Sequence, residues 1–177
     1  MLGPKTQVSR PITDRVKESL FSVLYKYDLP GGKRAADLFC GVGSLGIEAL
    51  SRRAELVTFV ERDPKISAIL KRNIARAGFD EVSKVMRADA FSVGASVDSE
   101  GRKYDLVFVD PPYARTEDVG ADSPLGGLLS LLQRQVAGDG IVVVRTHRRT
   151  DLLEKYGQFR LAERRRWGTM AVTILQR

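Results

Sequence analysis

The sequence predicts an α/β protein with one open, mostly parallel sheet and helices on both of its faces. Between residues 35 and 144, five short apolar runs alternate with segments of helical periodicity. This pattern is typical of parallel strands that are buried on both faces and joined by helices. Near the C-terminus, two β-prone runs flank Trp167-Gly168, which predicts a hairpin that adds an antiparallel strand to the sheet.

The individual elements follow from the spacing of apolar residues. A helix is predicted from Asp14 to about Tyr27, with Thr13 or Asp14 as its N-cap. Strands are predicted at residues 35–39, 56–60, 82–86, 106–109 and 141–144, and hairpin strands at 159–163 and 169–175. The helices between them are marked by residues 45–50, by 66–77 closed by Gly78, and by 125–132 closed by Gly138.

Composition excludes several classes of protein. The 177 residues are 43% hydrophobic and 29% charged, which is ordinary for a globular domain. We expect one compact domain, with a capping helix in residues 1–34 and the sheet in residues 35–177. No apolar run is long enough to span a bilayer and the first residues lack the core of a secretory signal, so we expect a cytoplasmic protein. With one cysteine and one histidine, no disulfide framework and no metal site are expected.

Positive charge is concentrated at the two ends of the chain. Of the net charge of +7, residues 1–34 carry +4, residues 35–144 carry −3 and residues 145–177 carry +6. An acidic middle between basic ends suggests a site for a cationic ligand beside a surface that binds a polyanion. Charged residues that only solvate terminal helices would give the same totals.

A glycine-rich loop follows the first predicted strand. Gly41, Gly43 and Gly46 fit the pattern G-x-G-x-x-G, which lets the backbone approach a nucleotide-like ligand at a helix N-terminus. Glu61 ends the second strand, 20 residues after Gly41, and can accept hydrogen bonds from a ribose diol. These features alone would also suit a dinucleotide-binding protein.

Two further carboxylates refine the choice of ligand. Asp37 lies just before the glycine loop, where a buried carboxylate needs a donor such as an ammonium group and would repel a pyrophosphate. Asp37 therefore favours S-adenosylmethionine, which carries an amino group and a cationic sulfonium, although it could instead cap a neighbouring loop. Asp89, after the third strand, could accept from an adenine amino group or simply begin a helix.

The motif Asp110-Pro111-Pro112-Tyr113 ends the fourth strand and indicates the chemistry. The prolines fix the backbone and remove two N–H donors, which leaves carbonyl oxygens as acceptors. A carboxylate and a proline carbonyl can hold both hydrogens of a planar exocyclic amino group and direct its lone pair at a methyl donor. Tyr113 offers a ring on which a flipped-out base can stack.

With the glycine loop and Glu61, this motif resembles those of S-adenosylmethionine-dependent amino-methyltransferases. Residues 10–21 (RPITDRVKESLF), 37–52 and 166–169 are similar to the RsmD family, and the resemblance covers nearly the whole chain from Arg10. It implies a single-domain, Rossmann-like class I methyltransferase with a seven-stranded sheet. It also implies methylation of the N2 amino group of a guanine in 16S rRNA, within the 30S subunit or an assembly intermediate. The family often has an acidic residue where Arg145 follows the fifth strand.

The candidate site residues fall into three groups. The predicted catalytic residues are Asp110, Pro111, Pro112 and Tyr113. The predicted cofactor-binding residues are Thr13, Arg15, Asp37, Phe39, Gly41, Gly43, Gly46, Glu61, Arg62, Asp89 and Ala90. The predicted RNA-binding residues are Arg10, Arg145, Arg148, Arg149, Arg164, Arg165 and Arg166.

Other interpretations remain open at this point. The same motif would serve an enzyme that methylates adenine in DNA or another RNA, and the glycine loop alone would suit an NAD-type oxidoreductase. Cys40 is expected to pack rather than react, and His147 to be a loop residue rather than a base, because amine methylation needs no strong base. The enzyme is expected to be a monomer.

Overall fold

The computed structural model describes residues 12–177 and contains one eight-stranded sheet among them. The strand order is β3-β2-β1-β4-β5-β8-β7-β6, with the first five strands parallel and the last three antiparallel to their neighbours. The strands are β1 Arg34–Leu38, β2 Leu56–Val60, β3 Ser83–Met86, β4 Tyr104–Val109, β5 Val136–His147, β6 Lys155–Tyr156, β7 Phe159–Trp167 and β8 Met170–Gln176. The predicted fold class is confirmed.

Five helices cover the sheet on both faces. They are α1 Asp14–Leu24, α2 Ser44–Ser51, α3 Pro64–Ala77, α4 Ala90–Val93 and α5 Pro124–Leu132. The first three pack on one face, where Phe21 of α1 meets Phe108 of β4 with ring centroids 5.8 Å apart. The apolar residues of α4 and α5 pack on the opposite face. Within residues 12–177, no helix is long and apolar enough to cross a membrane.

One helix end follows the predicted signal and two depart from it. Helix α3 ends at Gly78 as predicted, and at its start Asp63 is an N-cap that accepts from Lys65 N at 2.7 Å. Thr13 is the N-cap of α1, but its side chain makes no capping hydrogen bond. Helix α5 ends at Leu132 rather than near Gly138, because β5 already begins at Val136.

The sheet is longer at its antiparallel end than predicted. Strand β6 has two residues and pairs with β7, which makes eight strands rather than seven. Strand β5 runs on to His147, so Arg145 and His147 belong to the strand and not to a following loop. The extension has a clear cause, since β8 pairs with β5 as far as His147.

The sheet topology fixes where a ligand site can form. Strand β1 pairs with β2 on one side and with β4 on the other, and the chain crosses from the β3 edge back to β4 at this point. In open α/β sheets, ligands bind beyond the carboxyl ends of the strands at such a reversal of strand order. The residues that follow β1 and β4 are therefore adjacent at the candidate site.

Candidate active site

Asp37 is the most deeply buried carboxylate of the site. Its side chain is 1% exposed, and its Oδ2 accepts a hydrogen bond from Gly46 N of α2 at 2.8 Å. Burial raises the pKa of Asp37 to about 7; Asp110 and Glu61 add to the rise, while the Gly46 N–H and Arg145 oppose it. A carboxylate held this way ionises more readily when a cation binds beside it.

The three positions of the loop favour glycine for different structural reasons. Gly41 has a φ of +54°, and a Cβ there would meet nothing within 4 Å, so only its backbone conformation favours glycine. A Cβ at Gly43, where φ is +92°, would lie 2.5 Å from Leu70 Cδ1. A Cβ at Gly46 would lie 2.2 Å from the buried ring of Phe59. Gly46 thus lets α2 pack closely on the sheet, and Gly43 lets the loop lie close to Leu70 of α3.

Glu61 and Asp89 lie at the ends of β2 and β3 and are held by backbone N–H groups. Glu61 Oε2 accepts from Gly41 N at 3.0 Å and its Oε1 from Asp63 N at 2.9 Å, which ties the ends of β1 and β2 together. Asp89 is the N-cap of α4, where its Oδ1 accepts from Phe91 N at 3.0 Å. The helix-capping interpretation of Asp89 is therefore present in the structure, and its contact with adenine stays a prediction.

Asp110 forms an ion pair that the sequence analysis did not predict. Arg145 Nε lies 2.5 Å from Asp110 Oδ1, and the two side chains are 6% and 19% exposed. Strand register explains the contact. Val109 of β4 is opposite Val144 of β5, so the residues that come next, Asp110 and Arg145, are neighbours. Burial raises the pKa of Asp110, and Arg145 opposes this rise through its charge and its hydrogen bond.

The carbonyls of the two prolines of the motif differ in their hydrogen bonding. The Pro112 carbonyl accepts from Arg115 N at 2.8 Å in the short 3₁₀ turn Tyr113–Arg115. The Pro111 carbonyl accepts no hydrogen bond from any residue in the described part of the chain. Of the two, the Pro111 carbonyl has the more acceptor capacity left for a ligand, and its contact with an acceptor amino group stays a prediction.

Tyr113 contacts the single histidine of the chain. The rings of Tyr113 and His147 meet edge to face, with centroids 5.7 Å apart and an interplanar angle of 79°. Burial raises the pKa of Tyr113, Arg145 opposes the rise and Asp110 adds to it. The motif and the end of β5 thus form one cluster.

The other cofactor candidates lie around the loop ends. Phe39, at a φ of +59°, packs against Phe91 with centroids 4.7 Å apart, and Arg115 lies over the Phe91 ring at 4.7 Å. A bulky side chain at positive φ is a rare conformation that is found at ligand sites. Ala90 is buried at the start of α4, and Arg62 is exposed after β2.

The candidates from the N-terminal segment are Thr13, Arg15 and Arg10. Thr13 and Arg15 are exposed at the start of α1, and neither side chain bonds or pairs with another residue of the described region. Arg10 lies outside the described residues. The cofactor contacts of Thr13 and Arg15 stay a prediction.

The arginines of β7 are largely paired within the protein. Arg164 and Arg166 both form ion pairs with Asp151, and Arg165 Nε lies 2.5 Å from Glu163 Oε1. Arg164 has a side chain that is only 12% exposed, whereas that of Arg166 is 50% exposed. Of these three, Arg166 presents the most charge to solvent.

A second basic surface lies just after β5. Arg148 and Arg149 are exposed there and form no ion pair with residues 12–177.

A cavity of about 470 Å³, which was not predicted from the sequence, lies between α3 and β3. Its lining is Pro64, Ser67, Ala68, Lys71, Val85 and Arg87. It contains none of the predicted catalytic or cofactor-binding residues.

Sequence reasoning missed the neighbours of Asp110 from β5. Arg145 was predicted with the RNA-contacting arginines, whereas the structure buries its side chain against Asp110. His147 was expected in a loop, whereas it ends β5 and contacts Tyr113. The contact follows from the register of β4 with β5, which sets the residues after Val109 and Val144 side by side.

Known proteins resemble this chain over most of its length. Residues 1–176 match the family described as "Conserved hypothetical protein 95". YlbH of Bacillus subtilis, a candidate rRNA methyltransferase by its name, is 33% identical over 96% of this chain and 88% of its own. The ribosomal RNA small subunit methyltransferase D of Escherichia coli is 39% identical over 63% of this chain, and the match spans only 54% of that protein.

A solved structure agrees with these sequence relatives. The structure of yhhF from Escherichia coli, a candidate methyltransferase by its name, superimposes with a TM-score of 0.78 at 29% identity, covering 99% of this chain and 91% of that one. The glycine loop and the Asp110–Tyr113 motif lie at the reversal of strand order, where open α/β sheets bind their ligands. The chain therefore belongs to this family and is an RsmD-type methyltransferase.

Proposed function

We propose that this enzyme transfers the methyl group of S-adenosylmethionine to the N2 amino group of a guanine in 16S rRNA. The observation that carries the proposal is the position of Asp110 and the unbonded Pro111 carbonyl beside Asp37 at the reversal of strand order. Membership in the family of the small subunit methyltransferase D proteins supports rRNA as the acceptor.

The residues around the glycine loop fit S-adenosylmethionine. Buried Asp37, with its pKa raised to about 7, is a carboxylate that gains from a cationic ligand. Glu61 offers carboxylate oxygens for a ribose diol, and open space adjoins Gly41. Asp37, the Gly41–Gly46 loop, Glu61 and Asp89 would hold the cofactor, with Phe39 and Ala90 beside it. When bound, the cofactor supplies an electrophilic methyl group.

The chain's own part in the reaction is to hold the acceptor. Asp110 Oδ2 and the Pro111 carbonyl accept the two hydrogens of the amino group, which shifts electron density to nitrogen and points its lone pair at the methyl group. The amino nitrogen would take the methyl group as the methyl–sulfur bond breaks and its electron pair stays on sulfur, which leaves a neutral thioether. The nitrogen would then lose its extra proton to water, so no strong base is needed. Rate enhancement comes mainly from this positioning, and Tyr113 stacks on the flipped-out base.

Exposed arginines supply the contacts to the rRNA backbone. Arg148, Arg149 and Arg166 present charge near the end of β5, close to the catalytic motif in the sheet. Phosphate contacts of this kind position a nucleic acid without reading its sequence. The acceptor is rRNA within the 30S subunit or an assembly intermediate, and the enzyme acts as a monomer in the cytoplasm.

Transfer of a labelled methyl group tests the proposal directly. The enzyme is incubated with labelled S-adenosylmethionine and with naked 16S rRNA, 30S subunits or DNA, and the modified nucleoside is identified. We expect label in N2-methylguanosine of small subunit rRNA. Label in N6-methyladenine would instead show that the motif holds adenine, and label in DNA alone would overturn the rRNA acceptor.

A further inference from the structure

We infer that Arg145 is a positioning residue for the proposed methyl transfer: its guanidinium fixes Oδ1 of Asp110 and so presents Oδ2 to the acceptor amino group. The inference rests on the proposed function. It assigns Arg145 a role inside the site in place of the predicted contact with RNA phosphate.

The geometry favours the site over the RNA surface. The side chain of Arg145 is 6% exposed and its Nε lies 2.5 Å from Asp110 Oδ1. Asp110 Oδ2 accepts no hydrogen bond from residues 12–177, so one oxygen is engaged by Arg145 while the other remains available. A side chain buried in this way would have to leave its carboxylate to reach a phosphate.

Stabilisation of the fold alone gives a weak reason for this ion pair. Removing two charges from water costs several kcal/mol per ion, and a buried pair is often no more stabilising than an apolar pair of similar volume. What the pair does provide is a fixed orientation and charge state for Asp110.

The charge state matters because only the ionised carboxylate offers two acceptor oxygens and no O–H donor. Three groups from three elements face this carboxylate: Arg145 of β5, Asp37 of β1 and Tyr113 of its own loop. Burial raises the pKa of Asp110, and Arg145 is the cation that counters this rise. A protonated Asp110 would carry an O–H donor in place of one of its two acceptor oxygens. It would therefore form weaker hydrogen bonds to an amino group.

Three variants separate this role from the alternatives. Arg145→Met keeps an apolar stem and removes the charge, and Arg145→Lys restores the charge without the planar group that holds Oδ1. Arg149→Met, four residues further on and exposed, serves as the matched comparison for a phosphate contact. The rate kcat and the KM for rRNA are measured from pH 5.5 to 8.5, and the Asp110 carboxyl is titrated by ¹³C NMR in protein without substrate.

We expect Arg145→Met to move the acid limb of kcat, and the NMR titration of Asp110, upward by at least about one pH unit. Arg145→Lys should return the limb toward that of the wild type while kcat on the plateau stays reduced. Arg149→Met should raise KM without moving the pH profile of kcat or the NMR titration.

The inference is overturned if Arg145→Met only raises KM, or lowers kcat equally at every pH with the NMR titration unchanged. If the NMR titration moves but the wild type methylates no nucleic acid, the proposed function fails while the effect of Arg145 on Asp110 stands.

Discussion

The carboxylates at the centre of the sheet differ from those at its outer strands. Asp37, within β1, is buried, and Asp110, which follows β4, is half-buried; the two interact with each other and with Arg145. Glu61 and Asp89, which follow β2 and β3, are half-buried and exposed respectively, and both accept hydrogen bonds from backbone N–H groups.

This difference separates groups whose charge depends on ligands from groups whose position is fixed by the fold. A buried carboxylate among other carboxylates is costly to ionise, so binding of a cation or of a hydrogen-bond donor changes its state. A carboxylate that caps backbone N–H groups in water is already satisfied. Substitutions at the two places should therefore give different kinds of effect.

The largest effect is expected from Asp110→Ala. Loss of the carboxylate should lower kcat by about 10³-fold, as does loss of a key hydrogen-bonding group in other active sites. Affinity for S-adenosylmethionine should stay within a few-fold, because the residues proposed to bind the cofactor are others. Single-turnover methyl transfer and calorimetric titration measure the two effects, and loss of cofactor binding would contradict the assigned role.

A double variant controls for damage to the fold. Asp110→Ala leaves the buried charge of Arg145 without its ion-pair partner, which can destabilise the protein by about 3–5 kcal/mol. Arg145→Met in the same chain removes that charge. Recovery of thermal stability without recovery of activity would assign the lost activity to chemistry.

The next effect is on stability, at the helix that donates to Asp37. Gly46→Ala should destabilise the protein by about 2–3 kcal/mol, because the new Cβ would lie 2.2 Å from the buried Phe59 ring. Gly127→Ala is the matched control: Gly127 is exposed in α5 and a Cβ there meets nothing within 4 Å. It should stabilise by about 0.5–1 kcal/mol through helix propensity. Equal denaturation midpoints for the two variants would contradict the close approach of α2 to the sheet.

A smaller effect, of about tenfold, is expected in the pH dependence of cofactor binding. The pKa of Asp37 is raised from 3.8 to about 7 in the folded chain, so this group takes up a proton on folding and lowers stability as pH rises from about 4 to 7. A cationic ligand favours the ionised form. Affinity for S-adenosylmethionine should therefore increase about tenfold from pH 5.5 to 7, with proton release on binding that calorimetry in two buffers detects. Above about pH 8 the ligand's own amino group begins to lose its proton.

The Asp37→Asn variant gives the control for this pH dependence. It should bind the cofactor more weakly and with little change between pH 5.5 and 7. A slope as steep as that of the wild type would assign the titration to another group.

The fold and the two central carboxylates, Asp37 and Asp110, could be predicted from the sequence because both depend on local patterns. Apolar runs, the closing glycine of α3, and the placement of Asp37 and Asp110 at strand ends are all readable along the chain. The ion pair between Asp110 and Arg145 joins residues 35 positions apart and depends on the register of β4 with β5, which no local pattern specifies. For the same reason, the burial of Arg145 could not be distinguished from surface charge.

The smallest effect is expected at Asp89, where capping and ligand binding can be separated. Asp89→Ala removes the acceptor for Phe91 N and should cost about 1 kcal/mol of stability. Asp89→Asn keeps a capping oxygen, so its melting temperature should match that of the wild type. Its amide nitrogen cannot accept from an adenine amino group, however, so cofactor affinity should fall a few-fold.

The control is Asp63→Asn, at the exposed N-cap of α3, which should change neither the melting temperature nor the cofactor affinity. If Asp89→Asn keeps full cofactor affinity, Asp89 is a helix cap alone, and adenine recognition belongs to other groups at this end of the site.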